Sequence, residues 1–345
     1  MPRALATPEP APALADAALD VAGLGRALEA AFPARAPAPA AGPRVAVVIP
    51  CYNEAATIAR VVADFAAALP GARILVFDNA STDATAEAAR AAGAEVIREP
   101  RPGKGAVVRR MFAEIDADVY VMADGDGTYD AASAPKLVAM IADERMDMAI
   151  GARAGVSQEA HRRGHALGNR LFNRLYRSLF GAAYRDIFSG YRAFSRRFVK
   201  SFPALSNGFE IETELSVHAG ELRLPVGEID TPYGARVEGS PSKLRSVRDG
   251  LKILRAFARL AKETRPVMFF GAFAALFAAA AVILAAPLAQ EWAATGLVPR
   301  LPTAVLCTGL ALVACLLGAC GLILDSVARA RIEQKRMFYL LAGRD

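Results

Sequence analysis

Asp124 and Asp126 stand one residue apart at the end of a short apolar run, among Gly125 and Gly127. On an extended chain, side chains at i and i+2 share a face. The two carboxylates can therefore converge on one divalent cation. Hard oxygen ligands suit magnesium or manganese, and such ions commonly bridge substrate phosphates. A strand that simply ends in an Asp-Gly turn would show the same residues.

Three further polar clusters have the same setting. Pro50, Cys51, Tyr52, Asn53 and Glu54 follow the apolar run 45–50. Asp78 and Asn79 follow the run 73–78, with Asp83 soon after. Gly103, Lys104 and Gly105 precede a helical pattern. The spacing predicts strands over 45–50, 73–78, 95–98, 118–123 and 148–150. It predicts helices over 55–69, 83–92, 105–115 and 134–144, with Ser81 or Thr82 capping the second. Such alternation means a mostly parallel sheet with helices on both faces. Ligands of these sheets bind beyond the carboxyl ends of the strands, where the polar clusters fall.

The chain has 345 residues, a net charge of +6 and a hydrophobic share of 54%. The apolar excess sits near the C-terminus. Residues 266–289 and 301–324 carry no charge, and each run can cross a bilayer core of about 30 Å as a helix. Lys252, Arg255, Arg259, Lys262 and Arg265 precede the first run; Arg329, Arg331, Lys335, Arg336 and Arg344 follow the second. The charge asymmetry predicts a hairpin with both ends in the cytoplasm. Residues 243–265 read as a basic amphipathic helix at the membrane surface. Residues 1–43 are rich in Ala and Pro and read as largely disordered, with one short helix expected over 13–32. The expected domains are thus 1–43, a catalytic α/β domain at 44–242, the interfacial helix 243–265, two spans within 266–325 and a cytoplasmic tail 326–345. The basic excess suits anionic lipid or phosphate, and no aromatic-interleaved basic stripe points to nucleic acid. Four cysteines without CxxC spacing give neither a zinc site nor a disulfide framework. His161 and His165 have i, i+4 spacing but no evident third ligand, and read as part of a basic surface.

In this order, the motifs at Pro50 to Glu54, Asp78 to Asp83, Gly103 to Gly105 and Asp124 to Asp126 resemble those of the inverting family 2 glycosyltransferases with the GT-A fold. The chain is similar in particular to the polyprenyl-phosphate glycosyltransferases of the dolichol-phosphate-mannose-synthase-like group. The resemblance covers about residues 44–243, and the paired C-terminal runs match its bacterial branch. It implies that Pro50, Tyr52, Glu54, Asp78, Lys104 and Asp124 bind a nucleotide sugar, and that Asp124 and Asp126 hold Mg2+ or Mn2+ on its diphosphate. Many relatives carry Gln two residues past the second Asp; this chain has Thr128 there. The resemblance further implies that Arg153, Arg192 and Arg236 face the diphosphate and the lipid phosphate, matching the guanidinium fork to phosphate oxygens.

A catalytic set of Asp126, Arg153, Arg192, Arg236 and Glu214 follows, with Glu212 or Glu214 orienting acceptor or sugar. Arg236, Ser242 and Lys243 would bind the lipid phosphate where the sheet domain meets the interfacial helix. The expected reaction moves a hexose-type sugar from a nucleotide sugar, UDP-linked in preference to GDP-linked, to undecaprenyl or another polyprenyl phosphate. An ionised phosphate monoester attacks the anomeric carbon without a strong general base. Transfer to a lipid hydroxyl would call for such a base; a membrane-anchored sugar-nucleotide sensor would not need both aspartates. The expected setting is the bacterial inner (cytoplasmic) membrane with the catalytic domain on the cytoplasmic side. A homo-oligomer through the membrane helices, a tetramer for instance, fits the resemblance.

Overall fold

A computed structural model describes residues 42–154, 184–208, 210–234, 255, 258–259 and 261–343. The expected helix at 13–32, most of the interfacial helix, His161, His165, Arg236, Ser242 and Lys243 lie outside the described residues.

Seven strands form one sheet. In chain order they are β1 (Val45–Cys51), β2 (Arg73–Asp78), β3 (Glu95–Arg98), β4 (Val119–Met122), β5 (Met148–Ala154), β6 (Arg192–Ser195) and β7 (Val226–Pro232). Their spatial order is β3-β2-β1-β4-β6-β5-β7. All neighbours are parallel except β6, which runs antiparallel to both β4 and β5. The strand order reverses between β1 and β4, so a crevice opens beyond their carboxyl ends.

Both faces of the sheet are covered, which is why its central strands read as unbroken apolar runs. On β1, Val47 and Ile49 enter one core and Ala46 and Val48 the other. The first core is closed by α1 (Ile58–Ala68), through Ile58, Val61, Val62 and Phe65, by Ala89 of α2 (Thr85–Ala91) and by α4 (Ala134–Ala142), through Leu137, Met140 and Ile141. The second is closed by α3 (Lys104–Glu114), α5 (Arg196–Ser201) and α6 (Ile211–Leu222), with Val107, Met111, Phe112, Phe198, Ile211 and Leu215 inside it. At about 1.5–3 kcal/mol per buried large aliphatic or aromatic side chain, these two cores dominate the stability of the domain.

The helices keep to their expected places with edges shifted by one to three residues. The start of α2 differs in chemistry: Asp83, rather than Ser81 or Thr82, accepts the amide of Thr85 at 3.1 Å. Asp83 also accepts the amide of Ala55, so one carboxylate joins the starts of two helices. Beyond residue 150 the sequence gave no regular period, yet α5, α6, β6 and β7 are there. β6 is four residues long, and α6 buries nearly all its positions, Glu212, Glu214 and Ser216 included. A helix that hides polar groups on every side shows no amphipathic stripe.

The C-terminal part is a helical hairpin of α7 (Pro266–Thr295) and α8 (Leu301–Leu341). Each is long and apolar enough to cross a membrane, with only 6% and 17% of their most apolar windows buried. Core helices of a soluble domain would be covered; these expose Leu276, Ile283, Val305 and Leu322. They pack antiparallel and closely, Gly321 lying where a Cβ would be 3.3 Å from Phe270. Residues 326–341, expected as a separate tail, instead continue α8 without a break for about 24 Å and dock on the sheet domain. There Lys335 Nζ donates to Glu221 at 2.7 Å. Tyr339 Oη donates to the buried Asp147 at 2.8 Å, and the Arg197 guanidinium lies 4.4 Å from the Tyr339 ring centre.

Candidate active site

β4 ends at Met122, so Asp124 and Asp126 sit on the turn after it rather than on extended chain. That turn is fixed from below. Thr57 Oγ1 donates to the Gly125 carbonyl at 2.7 Å. A Cβ on Gly125 would lie 2.4 Å from both Cys51 Sγ and a Glu54 carboxylate oxygen. Glycine at 125 is what lets the turn settle onto the end of β1, and it brings Glu54 up beneath the aspartates. Gly127 has φ +72°, the left-handed region that glycine enters freely. Thr128, the residue in the place of the expected Gln, donates from its hydroxyl to Asp126 Oδ1 at 2.6 Å and from its amide at 3.2 Å. Thr128 thus orients the second carboxylate.

Lys104 is the centre of the charge pattern. It opens α3 and is nearly buried, its side chain only 7% exposed. Its ammonium donates to Asp124 Oδ1 at 2.5 Å and to Glu212 Oε1 at 2.6 Å. Burial acts to lower the Lys104 pKa, but the two carboxylates more than reverse it, and the ammonium is held above the ordinary lysine range. Burial raises the Glu212 carboxyl above the usual carboxylate range; the Lys104 charge opposes this and the Asp124 charge adds to it. One cation thus serves two carboxylates, and the cluster keeps an excess negative charge facing the crevice. Gly190 completes it: a Cβ there would lie 2.8 Å from Asp124 Oδ2 and 3.0 Å from Lys104 Nζ. The antiparallel run of β6, which sets Arg192 opposite Met122, delivers Gly190 to this edge.

The loops around the cluster are tied by side chains. Asn79 donates to the carbonyls of Glu99 and Arg101 and accepts the amide of Gly103 at 2.8 Å. Asp78, buried at the end of β2, accepts the amide of Ser81. Pro50 lies within β1, and Tyr52 beside it is 45% exposed at the mouth. Asn53 has φ +51° and accepts the Thr82 amide at 2.8 Å. Tyr129 accepts the Gly190 amide and lies against the rings of Tyr191 and Tyr233.

Two expected site residues hold other posts. Arg192 is fully buried. Its guanidinium donates to the carbonyls of Ser189 at 2.9 Å and Ile187 at 2.7 Å and to Ser216 Oγ at 3.0 Å. It cannot face a diphosphate; it braces the approach to β6, since a buried guanidinium must spend its donors on protein acceptors. Glu214 faces away from the cluster and accepts the amides of Leu205 and Ser206 at 2.9 and 2.8 Å. Arg153 stays near the mouth, paired with Asp186 at 2.6 and 2.8 Å and lying over the Tyr233 ring.

Asp124 and Asp126 are the residues that could hold a divalent cation. Among the described residues no three His, Cys, Asp or Glu side chains form a metal-binding group. A cation using one or two carboxylates and completing its shell with water and substrate phosphates needs no third, and Asp124, with its side chain 28% exposed, opens to the crevice. The residues fit magnesium or manganese in that mode.

Comparison with known proteins agrees with this architecture. Residues 46–202 match the family described as Glycosyl transferase family 2. The glycosyltransferase AglJ of Haloferax volcanii is 35% identical over 257 residues, covering 72% of this chain and 82% of that protein. The dolichyl-phosphate hexose transferase of the same organism is 30% identical, covering 64% of this chain and 95% of that protein. Glucosyl-3-phosphoglycerate synthase of Mycobacterium tuberculosis, solved with Mn2+, uridine diphosphate and glucosyl-3-phosphoglycerate, superposes with a TM-score of 0.53 over 67% of this chain and 82% of that one, at 23% identity. The fold, the order of the motifs and the extent of the matched relatives together make this chain a member of glycosyl transferase family 2, with a GT-A domain carried on two candidate membrane helices.

Proposed function

We propose that the chain is a membrane-bound inverting hexosyltransferase whose donor is a nucleotide sugar, UDP-linked in preference to GDP-linked, and whose acceptor is a polyprenyl phosphate such as undecaprenyl phosphate. The observation that carries this reading is the Lys104, Asp124 and Glu212 cluster beside Asp126, at the carboxyl edge of a sheet domain joined to an exposed apolar hairpin. Tyr52, Glu54 and Asp78 hold the base and ribose. Asp124 and Asp126 hold Mg2+ or Mn2+, with Thr128 orienting Asp126. When bound, the divalent ion supplies electrostatic stabilisation of the departing diphosphate.

The acceptor phosphate oxygen attacks the anomeric carbon from the face opposite the diphosphate. The new C–O bond forms as the bond to the diphosphate breaks, and the configuration inverts. An acceptor already ionised has no proton to give up, so no imidazole base is needed. Among the described residues the one histidine, His218, is packed between Phe198 and Phe202 in the second core. A lipid phosphate also fits a relative named as a dolichyl-phosphate hexose transferase. Arg236, Ser242 and Lys243 remain the proposed acceptor ligands, and Arg153 with Asp186 lines the approach. The proposed setting is the bacterial inner membrane, with the catalytic domain on the cytoplasmic side and association through the membrane helices.

Membranes carrying the full chain, incubated with labelled UDP- and GDP-sugars and undecaprenyl phosphate, test the reading. An acid-labile, lipid-linked sugar whose formation stops in EDTA supports it. Transfer to a lipid alcohol with none to the lipid phosphate overturns it.

A further inference from the structure

Segment 204–207 is gripped from two sides. From α3, Arg109 Nε donates to the Ala204 carbonyl at 2.8 Å. Its Nη2 reaches the carbonyls of Leu205 and Ser206 at 3.3 Å each and Asn207 Oδ1 at 3.2 Å. From α6, Glu214 takes the amides of Leu205 and Ser206. A cation holds the carbonyls and an anion holds the amides, so each bond is charge-assisted.

The grip has something to hold. Ala204 has φ +48°, a left-handed conformation an alanine avoids when free to relax. Packing does not supply the restraint, since Leu205 is 70% exposed. The segment borders a groove of about 780 Å³ that reaches α8 at Arg331 and Phe338.

The opposite edge of the segment meets the active site. The Asn207 carbonyl accepts the Gly105 amide at 3.1 Å. A Cβ at Gly103 would fall 2.1 Å from the Asn207 carbonyl oxygen, and one at Gly105 would fall 2.1 Å from that of Ser206. Segment 206–207 is the wall against which the Gly103-Lys104-Gly105 turn is set, and Lys104 points from that turn to Asp124 and Glu212.

We propose that Arg109 and Glu214 are positioning residues for donor binding: they fix the 204–207 wall, the wall fixes the glycine turn, and the turn fixes Lys104 against Asp124. The inference rests on the nucleotide-sugar reading above and adds residues that touch no substrate.

The test uses the full chain in detergent or nanodiscs, as Arg109→Ala, Arg109→Lys and Glu214→Gln. Initial rates are taken with the sugar nucleotide varied at saturating undecaprenyl phosphate and then the reverse, using whichever donor the wild type turns over. Arg109→Ala should raise the donor KM about tenfold, the worth of one charge-assisted bond, with the acceptor KM unchanged. Arg109→Lys keeps one point donor and should recover part of the loss, and Glu214→Gln should fall between. Hydrogen exchange should quicken in the peptide spanning 103–107 while β1 stays protected. A variant that is merely less folded lowers kcat with both KM values unmoved, and that result overturns the proposal. Unchanged exchange at 103–107 in Arg109→Ala also overturns it. If the wild type uses no sugar nucleotide, the functional reading fails while the exchange experiment still decides the clamp.

Discussion

Lys104 Nζ and Glu212 Oε1 lie 2.6 Å apart across 108 residues of sequence, tying the first turn of α3 to the first turn of α6. With Asp124 on the other side of the ammonium, this contact links the two halves of the domain at its carboxyl edge. The pair is nearly dry, so its integrity bears on folding as well as on chemistry.

Lys104→Met leaves Asp124 and Glu212 without their shared cation. Breaking a buried ion pair on one side costs about 3–5 kcal/mol, so the midpoint of unfolding should drop clearly. Lys104→Met/Glu212→Gln removes the stranded charge and should recover most of that stability without restoring transfer. Thermal unfolding in detergent beside a transfer assay checks both arms; recovered activity in the double variant would show that Lys104 serves the fold alone.

Asp126→Ala should abolish transfer while leaving the protein folded and membrane-bound. Thr128→Val removes the hydroxyl that orients Asp126 and should lower transfer by about tenfold, near the upper worth of a neutral hydrogen bond. Excess Mn2+ should rescue Thr128→Val in part and Asp126→Ala not at all. Full activity of Asp126→Ala, or of the wild type in EDTA, counts against the metal assignment.

Arg192→Met should act on stability. The carbonyls of Ser189 and Ile187 lose their donor, and buried acceptors left bare cost about 1–3 kcal/mol each. The surviving folded fraction should keep the donor KM of the wild type. A raised donor KM with unchanged stability would return Arg192 to the substrate.

His218 gives a pH prediction. Burial, helped by the Lys335 charge, pushes its pKa down to about 3. Nε2 faces Ser201 Oγ at 3.0 Å, and the ring is flanked by Phe198 and Phe202. The unfolded chain takes up a proton near pH 6.5, which the folded chain refuses until about 3. Stability contributed by neutral His218 is therefore present above pH 6.5 and is lost as pH falls through that window, at up to about 1.4 kcal/mol per pH unit. His218→Gln should flatten the acid limb of stability against pH; an unchanged slope would mean that the imidazole reaches solvent.

The parallel half of the fold was legible because its strands are buried on both faces and its polar residues cluster at strand ends. The motif residues of that half, from Pro50 to Asp126, do lie along one edge. Arg192 was misread because an arginine beside glycine and tyrosine has the composition of a phosphate site; only the antiparallel entry of β6, which no periodicity announces, turns it inward. Glu212 and Glu214 were narrowed to a pair but not separated. Their two-residue spacing turns them to different sides of α6, one toward Lys104 and the other toward Leu205. The roles of Asn79 and Arg109 depend on carbonyls that are distant in sequence, and no side-chain pattern encodes those. Gly190 had a visible signal, a glycine just ahead of a short apolar run, whose meaning needed Asp124 beside it.

The unbroken passage of α8 from its apolar stretch to its contacts at Lys335 and Tyr339 makes chain length a ruler. A continuous helix has no slack: each residue added near Asp325 would lift the far end by about 1.5 Å and swing it by about 100°. Lys335 and Tyr339 would then miss Glu221 and Asp147 unless the change amounted to nearly whole turns. The altitude of the chemistry above the lipid would be adjustable only in steps of about 5.4 Å. Relatives that act on headgroups of different height would have to differ by three, four or seven residues at this point.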